Sequence, residues 1–247
     1  FVDDCIRAAL AMDCKVPARI IDHRLFQPPG AAAKNTPPEW LLWIRSLRSQ
    51  ILYDGGARPL FGPGGARYGD RDPADLECFH LALFEDDLPI GAARLSLGGN
   101  NRKLSLVDPT FGTENVNRCL ARAGYRRDDC AEASRLVLHV GYRQGRNVQR
   151  LFGGLWSLAA ESGAKAIIAA VGTRNHQDRL FSMFGARILG EAGTVDAPAF
   201  NDQLRLALFA VEPGSPPDYA ELEYMREFIA QSYSRPELDR REFAAAV

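Results

Sequence analysis

The stretch from Glu132 to Glu161 restricts the fold more than any other part of the chain. A strand-like run from Glu132 to Val140 passes through a tight loop into a helix spanning about Asn147 to Glu161. The apolar positions of that helix, Val148, Leu151, Phe152, Leu155, Leu158 and Ala159, recur at the helical period, and Ser162-Gly163 supplies the stop. A strand that feeds a helix asks for a layered α/β arrangement, and the rest of the chain decides which kind.

Upstream, Cys78 to Phe84 and Leu88 to Leu97 read as two strands joined by the turn Glu85-Asp86-Asp87, a β-hairpin. Leu104 to Val107 adds a short strand, and Thr113 to Ala123 a helix with Val116 and Leu120 inward. Downstream come a buried-type strand (Ala166 to Val171), a helix (about Asn175 to Met183) ended at Gly185, and strands near Arg187 to Leu189 and Leu204 to Val211. A hairpin, a strand–loop–helix and a strand–helix–strand make a mixed sheet rather than a doubly wound parallel one. No strand is followed by GxGxxG or GxxxxGK[ST], which leaves a nucleotide fold without support.

At the N-terminal side, Thr36 followed by Pro37-Pro38-Glu39 caps a helix running to about Tyr53, with Trp40, Ile44, Leu47 and Ile51 on one face. Residues 1–36 read as an extension containing a short apolar helix (Cys5 to Met12), a strand (Ala18 to Asp22) and a Pro/Gly/Ala-rich connector. The central domain spans 37–212. After the break Pro213-Gly214-Ser215-Pro216-Pro217, residues 213–247 form a C-terminal extension with an amphipathic helix from Asp218 to Ser232.

Composition narrows the function classes. Thirty basic residues against 31 acidic ones give a net charge of -1, so no global field draws the chain onto nucleic acid or an anionic membrane, and any anionic ligand needs a local patch. The longest apolar runs fall far short of the roughly 20 residues needed to cross a bilayer, so no membrane span is expected. The five cysteines (Cys5, Cys14, Cys78, Cys119, Cys130) are scattered without CxxC spacing. That pattern suits reduced thiols in a cytoplasmic protein and gives neither a metal site nor a disulfide framework. The start Phe1-Val2-Asp3-Asp4-Cys5 lacks a basic segment followed by an apolar one.

The chemistry gathers around the same strand and loop. A strand entering a helix N-terminus aims backbone N–H groups and the positive end of the helix dipole at one point, where an anion is stabilised. Arg143 and Arg146 flank that point and Arg150 lies one turn on, which suits a phosphate or pyrophosphate; solvated loop charges are the alternative. On the strand, alternation places Glu132, Ser134 and Leu136 on one face and Ala133, Arg135 and Val137 on the other. Glu132 is a candidate general base for an incoming amine, with Arg135 holding a neighbouring carboxylate or phosphate; a structural ion pair or an edge position explains both equally simply. His139 and His176 lack an acidic or nucleophilic partner in sequence and read as surface or core histidines. With no Gly-x-Ser-x-Gly elbow and no nucleophile motif around Cys119 or Cys130, direct transfer is favoured over an acyl-enzyme.

The run Glu132-Ala-Ser-Arg-Leu-Val-Leu, followed by Gly141-Tyr-Arg-Gln-Gly-Arg146 and a Leu/Ala-rich helix ending in Ser162-Gly163-Ala164, resembles the core of the GNAT acyltransferases. More narrowly it is similar to the acyl-homoserine lactone synthase (autoinducer synthase) and N-acyl amino acid synthase branch, whose strand signature Glu-x-Ser/Thr-Arg matches Glu132, Ser134 and Arg135. Arg48 occupies the place of the family's first-helix arginine, Asp72 and Asp75 that of its paired acidic residues, and Gly91-Ala-Ala-Arg94 that of its Gly-x-x-Arg. The resemblance covers about Trp40 to Leu189 and lies in the order of weak motifs.

The resemblance implies a mixed, mostly antiparallel sheet flanked by helices. It further implies catalysis by Glu132, Ser134 and Arg135, substrate binding by Arg48, Asp72, Asp75 and Arg94, and a pantetheine and phosphate site at Leu138, Val140, Arg143, Gly145, Arg146 and Asn147. No tightly bound cofactor is expected; the partners are an acyl donor and a small-molecule amine. Two departures refine this. The GNAT phosphate loop becomes Arg143-Gln-Gly-Arg146-Asn-Val148, without the small residues that let the backbone close around a pyrophosphate. A carrier-protein thioester is therefore the expected donor, ahead of acyl-CoA. The aromatic residue that lactone synthases carry after the first-helix arginine is Leu52 here, with Tyr53 and Phe61 nearby, which favours an N-acyl amino acid product. The expected activity is transfer of a long fatty acyl chain from acyl carrier protein to the amine of an amino acid or similar molecule. An acetyl-CoA-dependent N-acetyltransferase, an acyl-homoserine lactone synthase and an inactive acyl-binding regulatory module remain as alternatives.

Overall fold

The computed structural model describes residues 21–54, 70–97, 104–143, 146–212, 214 and 216–233, with residues 53–54 described for their backbone only. Eight strands make one sheet: β1 (Asp22–Phe26), β2 (Phe79–Glu85), β3 (Leu88–Ser96), β4 (Cys130–Leu138), β5 (Ala166–Gly172), β6 (Arg187–Ile188), β7 (Thr194–Ala197) and β8 (Asp202–Ala210). Their order is β1-β2-β3-β4-β5-β8-β6, with β7 also on β8, and every pairing is antiparallel except that of β4 with β5. The mixed, mostly antiparallel sheet expected from the sequence is thus present. β2 and β3 form the expected hairpin, and both turn residues, Asp86 and Asp87, adopt the positive φ that matches a two-residue turn to the twist of its strands.

Helices cover both faces. On one lie α4 (Asn147–Glu161), α5 (Gln177–Met183) and α6 (Leu222–Tyr233), which bury Leu151, Phe152, Leu155, Phe181, Met225 and Ile229 against the odd-numbered side chains of β5 and β8 and the facing side of β2 and β3. Residue Gly154 lets α4 approach closely, since a Cβ there would lie 2.3 Å from Leu81 Cδ2. On the other face, α1 (Glu39–Ser49) packs Ile44 and Leu47 on Phe26, Ala82, Phe84 and Val137. Beside it, α2 (Val107–Phe111) and α3 (Thr113–Arg122) pack Val107, Phe111, Val116 and Leu120 on Ile168, Leu204 and Leu206.

Several elements depart from the expected boundaries, each for a local reason. Thr36 does not cap α1: Pro37 and Pro38 hold the chain extended, and α1 begins at Glu39 with Pro38 as N-cap. The helix ends at Ser49 and continues as a π-type turn over Gln50–Asp54. The helix expected at Cys5 to Met12 and most of the strand expected at Ala18 to Asp22 lie outside the described residues; a strand over Asp22–Phe26 pairs with β2, so part of the stretch read as an extension belongs to the sheet edge. Leu104 to Val107 is not a strand. Its N–H groups go to carboxylates, Leu104 N to Asp108 Oδ2 (2.8 Å) and Leu106 N to Glu132 Oε1 (2.8 Å), and Pro109 sits in the first turn of α2, where its fixed φ and missing N–H cost nothing. Cys78, Cys119 and Cys130 are buried and unpaired, and no described helix is long and apolar enough to cross a membrane.

Candidate active site

β4 changes character halfway along. Its pairing with β5 covers only Cys130, Ala131 and Glu132, opposite Ala166, Ile167 and Ile168, while β5 stays paired with β8 as far as Gly172. Beyond Glu132 the two parallel strands splay. On its other edge, β4 carries one extra residue: Ser134 lies opposite Arg94 but Val137 lies opposite Ala92. This is a β-bulge, and Arg135 within it has φ +55°, a left-handed conformation unusual for a non-glycine residue.

The bulge overturns the simple alternation read from the sequence. Ala131 and Ala133 face α4, yet so does Leu138, with Leu136 packed against the same cluster, while Val137 joins the core under α1. One extra residue inverts every side chain after it. Arg135 is thereby brought to Asp72, the carboxylate it shares with Arg94, which donates from Nε to Ser134 Oγ at 2.9 Å.

These residues belong to a buried charge network. Arg48 grips Asp75 with two bonds, Nη1 to Oδ1 at 2.9 Å and Nη2 to Oδ2 at 2.7 Å, and its Nε lies 2.8 Å from Asp70 Oδ2. Arg45 Nε reaches Asp75 Oδ2 at 3.0 Å. Arg94 Nη1 bridges Asp75 Oδ1 and Asp72 Oδ2, each at 2.9 Å. Arg135 meets Asp70 Oδ2 at 3.1 Å and Asp72 Oδ2 at 2.9 Å, leaving its Nη1 buried without a partner among the described residues. Burial alone would raise the carboxyl pKa of Asp75, but the bonds and charges of Arg48 and Arg94 outweigh it and hold Asp75 well below the usual range. Asp72 is lowered for the same reason, by Arg94 and Arg135 against burial. The neutral His80 imidazole, pushed down to about 4 by burial, rests its Nε2 on Asp75 O.

Glu132 is set apart from these pairs. It is fully buried, its Oε1 accepts from Leu106 N and from Ser105 Oγ (3.3 Å), and its Oε2 has no partner among the described residues. Burial raises its pKa, and the Leu106 bond and the charge of Arg94 offset only part of that. Counting Glu132, four arginines (45, 48, 94 and 135) face four carboxylates (70, 72, 75 and 132), and Glu132 is the one that no arginine touches directly.

The splay opens a cavity of about 130 Å³, lined on the β4 side by Ala133 to Val137 and on the β5 side by Ala169, Ala170 and Asn175. It reaches through the sheet: Leu155, Leu180 and Phe181 close it on the α4 face, and Leu52, Leu106, Phe200 and Leu204 on the other. Gln177 and Asp202 complete its lining, so the charge network borders, at Ser134 and Arg135, a cleft that is apolar for the larger part but carries several polar groups.

The structure thus brings Glu132, Ser134, Arg135, Arg48, Asp72, Asp75 and Arg94 together. The expected pantetheine and phosphate residues form a second group where β4 runs out. Leu138 is buried and its carbonyl accepts from Arg143 Nε at 3.0 Å, Val140 is exposed, and Asn147 Nδ2 donates to Tyr142 O at 3.1 Å. Arg146, however, pairs with Glu221 Oε1, and Arg150 holds Glu221 Oε2, each at 2.8 Å. Gly145 lies outside the described residues, as does Phe61. His139 and His176 are exposed, in keeping with their bland reading. Arg45, Asp70, His80, Ser105 and Glu221 were not singled out in the sequence; only Arg45, three residues before Arg48 on one helix face, carried a periodic signal.

No protein-family model and no curated protein matches the chain. Among solved structures, it is similar to the CoA-dependent acyl-homoserine lactone synthase BjaI in complex with SAM and isopentyl-CoA, at 17% identity over 86% of this chain and 90% of that chain, TM-score 0.54. It is similar too to FeeM, an N-acyl amino acid synthase from uncultured soil microbes (14% identity, 78% and 92% of the two chains, TM-score 0.52), and to the AHL synthase LasI (11%, 79% and 92%, TM-score 0.53). The chain has their fold. That fold is the one the motif order around Glu132 pointed to, and at this identity the likeness is one of architecture alone.

Proposed function

We propose that the protein is an N-acyltransferase, moving an acyl group from an acyl carrier protein thioester to the amine of an amino acid or a similar small molecule. The observation that carries the reading is the cleft between β4 and β5, whose wall at Ser134 and Arg135 adjoins a buried carboxylate, Glu132, raised in basicity by burial and touched directly by no arginine among the described residues. The shared fold supports the class, since FeeM is an N-acyl amino acid synthase and BjaI an acyl-homoserine lactone synthase.

In this mechanism the thioester carbonyl lies against the open half of β4, and backbone N–H groups near the bulge polarise it; one such donor is typically worth about 2.7–4 kcal/mol. The acceptor's carboxylate rests on Arg135 Nη1, a buried guanidinium nitrogen without a hydrogen-bond partner among the described residues. The amine nitrogen attacks the carbonyl carbon, and its proton passes to Glu132. Because Glu132 is wholly buried behind Leu106 and Ser134, both of which line the cleft, water or Ser105 relays that proton. Collapse of the tetrahedral intermediate breaks the C–S bond, and the departing thiolate takes the proton. Arg48, Arg94, Asp72 and Asp75 hold the wall in place.

The pantetheine arm runs past Leu138 and Val140, and its phosphate meets the first turn of α4 near Arg143, Arg146 and Asn147. Glu221 already takes part of the Arg146 charge, which favours a donor with one phosphate over the more highly charged coenzyme A. The test offers the same acyl group on carrier protein and on coenzyme A, with a mixture of amino acids, and follows thiol release and product mass. Faster release from the carrier protein with an N-acyl amino acid product is expected. Release from coenzyme A alone rejects the donor, and release from neither rejects the enzyme.

A further inference from the structure

The cleft has a size, and the size selects the acyl group. It begins at the last paired residues, Glu132 and Ile168, and extends along the open half of β4 from Ala133 to Val137. Four strand steps span about 13 Å, which the end of the pantetheine arm and the acyl group must share. Its volume is about 130 Å³, with Ser134, Arg135, Asn175, Gln177 and Asp202 among its lining; compared by size alone, a cavity of about 150 Å³ is enough for one benzene molecule.

On the α4 side the wall cannot easily retreat. The Phe181 ring stands edge-on to Phe152 with centroids 4.9 Å apart and lies 5.6 Å from Phe209, and Phe152 is stacked on Phe184 at 4.2 Å. Leu155, in the same cluster, is buried on α4. A long chain entering between β4 and β5 would have to displace this aromatic stack, whose rings interlock as a close-packed interior does. Neither does the paired end of the cleft give way, because β4, β5 and β8 are hydrogen-bonded below Glu132.

We infer that the acyl group carried by the donor is compact, with about four to seven carbons or a single ring, since that is what a cavity near the benzene-binding size admits. The inference rests on the acyltransferase reading for its chemistry and replaces the long chain expected from the sequence resemblance.

The test is built so that the two can fail separately. S-alkyl-pantetheine thioethers carry the arm common to both donors and cannot turn over, so their binding to the intact protein is measured by thermal shift along a series from ethyl to hexadecyl, with benzyl included. Affinity is expected to peak at butyl to heptyl or benzyl and to fall on the order of tenfold or more by dodecyl. Affinity that is flat or rises to hexadecyl overturns the size limit, whether or not any thioester is turned over. Absence of binding along the whole series overturns it as well, since the cleft then takes no acyl chain. In parallel, thiol release from acyl carrier proteins of the same lengths reports the activity, and no release at any length overturns the acyltransferase reading alone. Leu180→Ala enlarges the cleft at a half-buried position and should move the optimum to longer chains; Phe181→Ala should do so further if it folds. An unmoved optimum in a folded Leu180→Ala variant counts against the assigned wall.

Discussion

The two halves of β4 are one strand built to two specifications. From Cys130 to Glu132 it is paired with β5, Glu132 lying opposite both Ile168 and Ser96, and its side chains are apolar but for the last. From Ala133 to Leu138 it has lost β5, gained a bulge and taken a left-handed residue, and the charges gather around it. The difference shows where the fold spends its stability. A regular ladder satisfies the backbone locally and leaves nothing to bind with, whereas the open half exposes backbone and a cavity only because a network of buried ion pairs holds its outer wall. The junction between the halves is Glu132.

That junction offers the largest effect. Glu132→Gln keeps an acceptor for Leu106 N and removes a charge that burial disfavours, and no bond to Oε2 is lost because none exists among the described residues. Turnover should fall by about 10²–10⁴-fold, the usual contribution of a positioned base, while the melting temperature stays near that of the wild type. Loss of folding together with activity would return Glu132 to the paired, structural half of the strand.

The network on the open side should answer oppositely. Asp75 accepts from Arg45, Arg48 and Arg94 at once, so Asp75→Ala leaves three buried guanidinium groups with only Asp70 and Asp72 to balance them and should cost about 3–5 kcal/mol in a urea titration. A loss below about 1 kcal/mol would mean the open half stands without it.

How far the sequence could be read follows the same division. The paired half, the hairpin and α4 were legible because hydrophobic period and turn residues report local structure: Val148 to Ala159 marked α4, and Asp86-Asp87 marked the turn. Arg48, Asp72, Asp75, Arg94, Ser134 and Arg135 were legible as a set only through the order of family motifs, and their convergence is a tertiary fact. The bulge was not legible, because one extra residue in a strand leaves no mark in composition, and it is what moved Arg135 to the face of Ser134. The ligand of Glu132 is the backbone N–H of Leu106, which no side-chain pattern can announce. The aromatic wall of the cleft is Phe181, backed by Phe152 and Phe209 from separate elements, so the cleft's size was invisible until they met.

A substitution in the closed half is the control. Ala131 is fully buried between β4 and α4, and Ala131→Val adds two methyl groups to a filled space. It should destabilise by about 1–3 kcal/mol and leave kcat near the wild-type value, since the residue faces neither the cleft nor the charges. A large fall in kcat at constant stability would show that the two halves are coupled through the backbone.

The smallest effect is expected at the far end of β4, where Glu221 ties the C-terminal segment to α4 through Arg146 and Arg150. The Glu221 side chain is 7% exposed but that of Arg146 is 55%, so solvent screens half of the arrangement and Glu221→Gln should cost about 1 kcal/mol or less. The pH dependence gives the sign. Burial would raise the Glu221 pKa, but the bonds from Arg150 and Arg146 prevail and lower it from 4.5. A carboxylate depressed in the folded state contributes its stability above its unfolded pKa and loses it as the pH falls. The stability gap between wild type and Glu221→Gln should therefore be full at pH 7 and close progressively below 4.5, and added salt should narrow it at neutral pH. A gap that persists in acid would mean that Glu221 acts through packing of its buried stem and not through its charge, and the open end of β4 would then be anchored by shape alone.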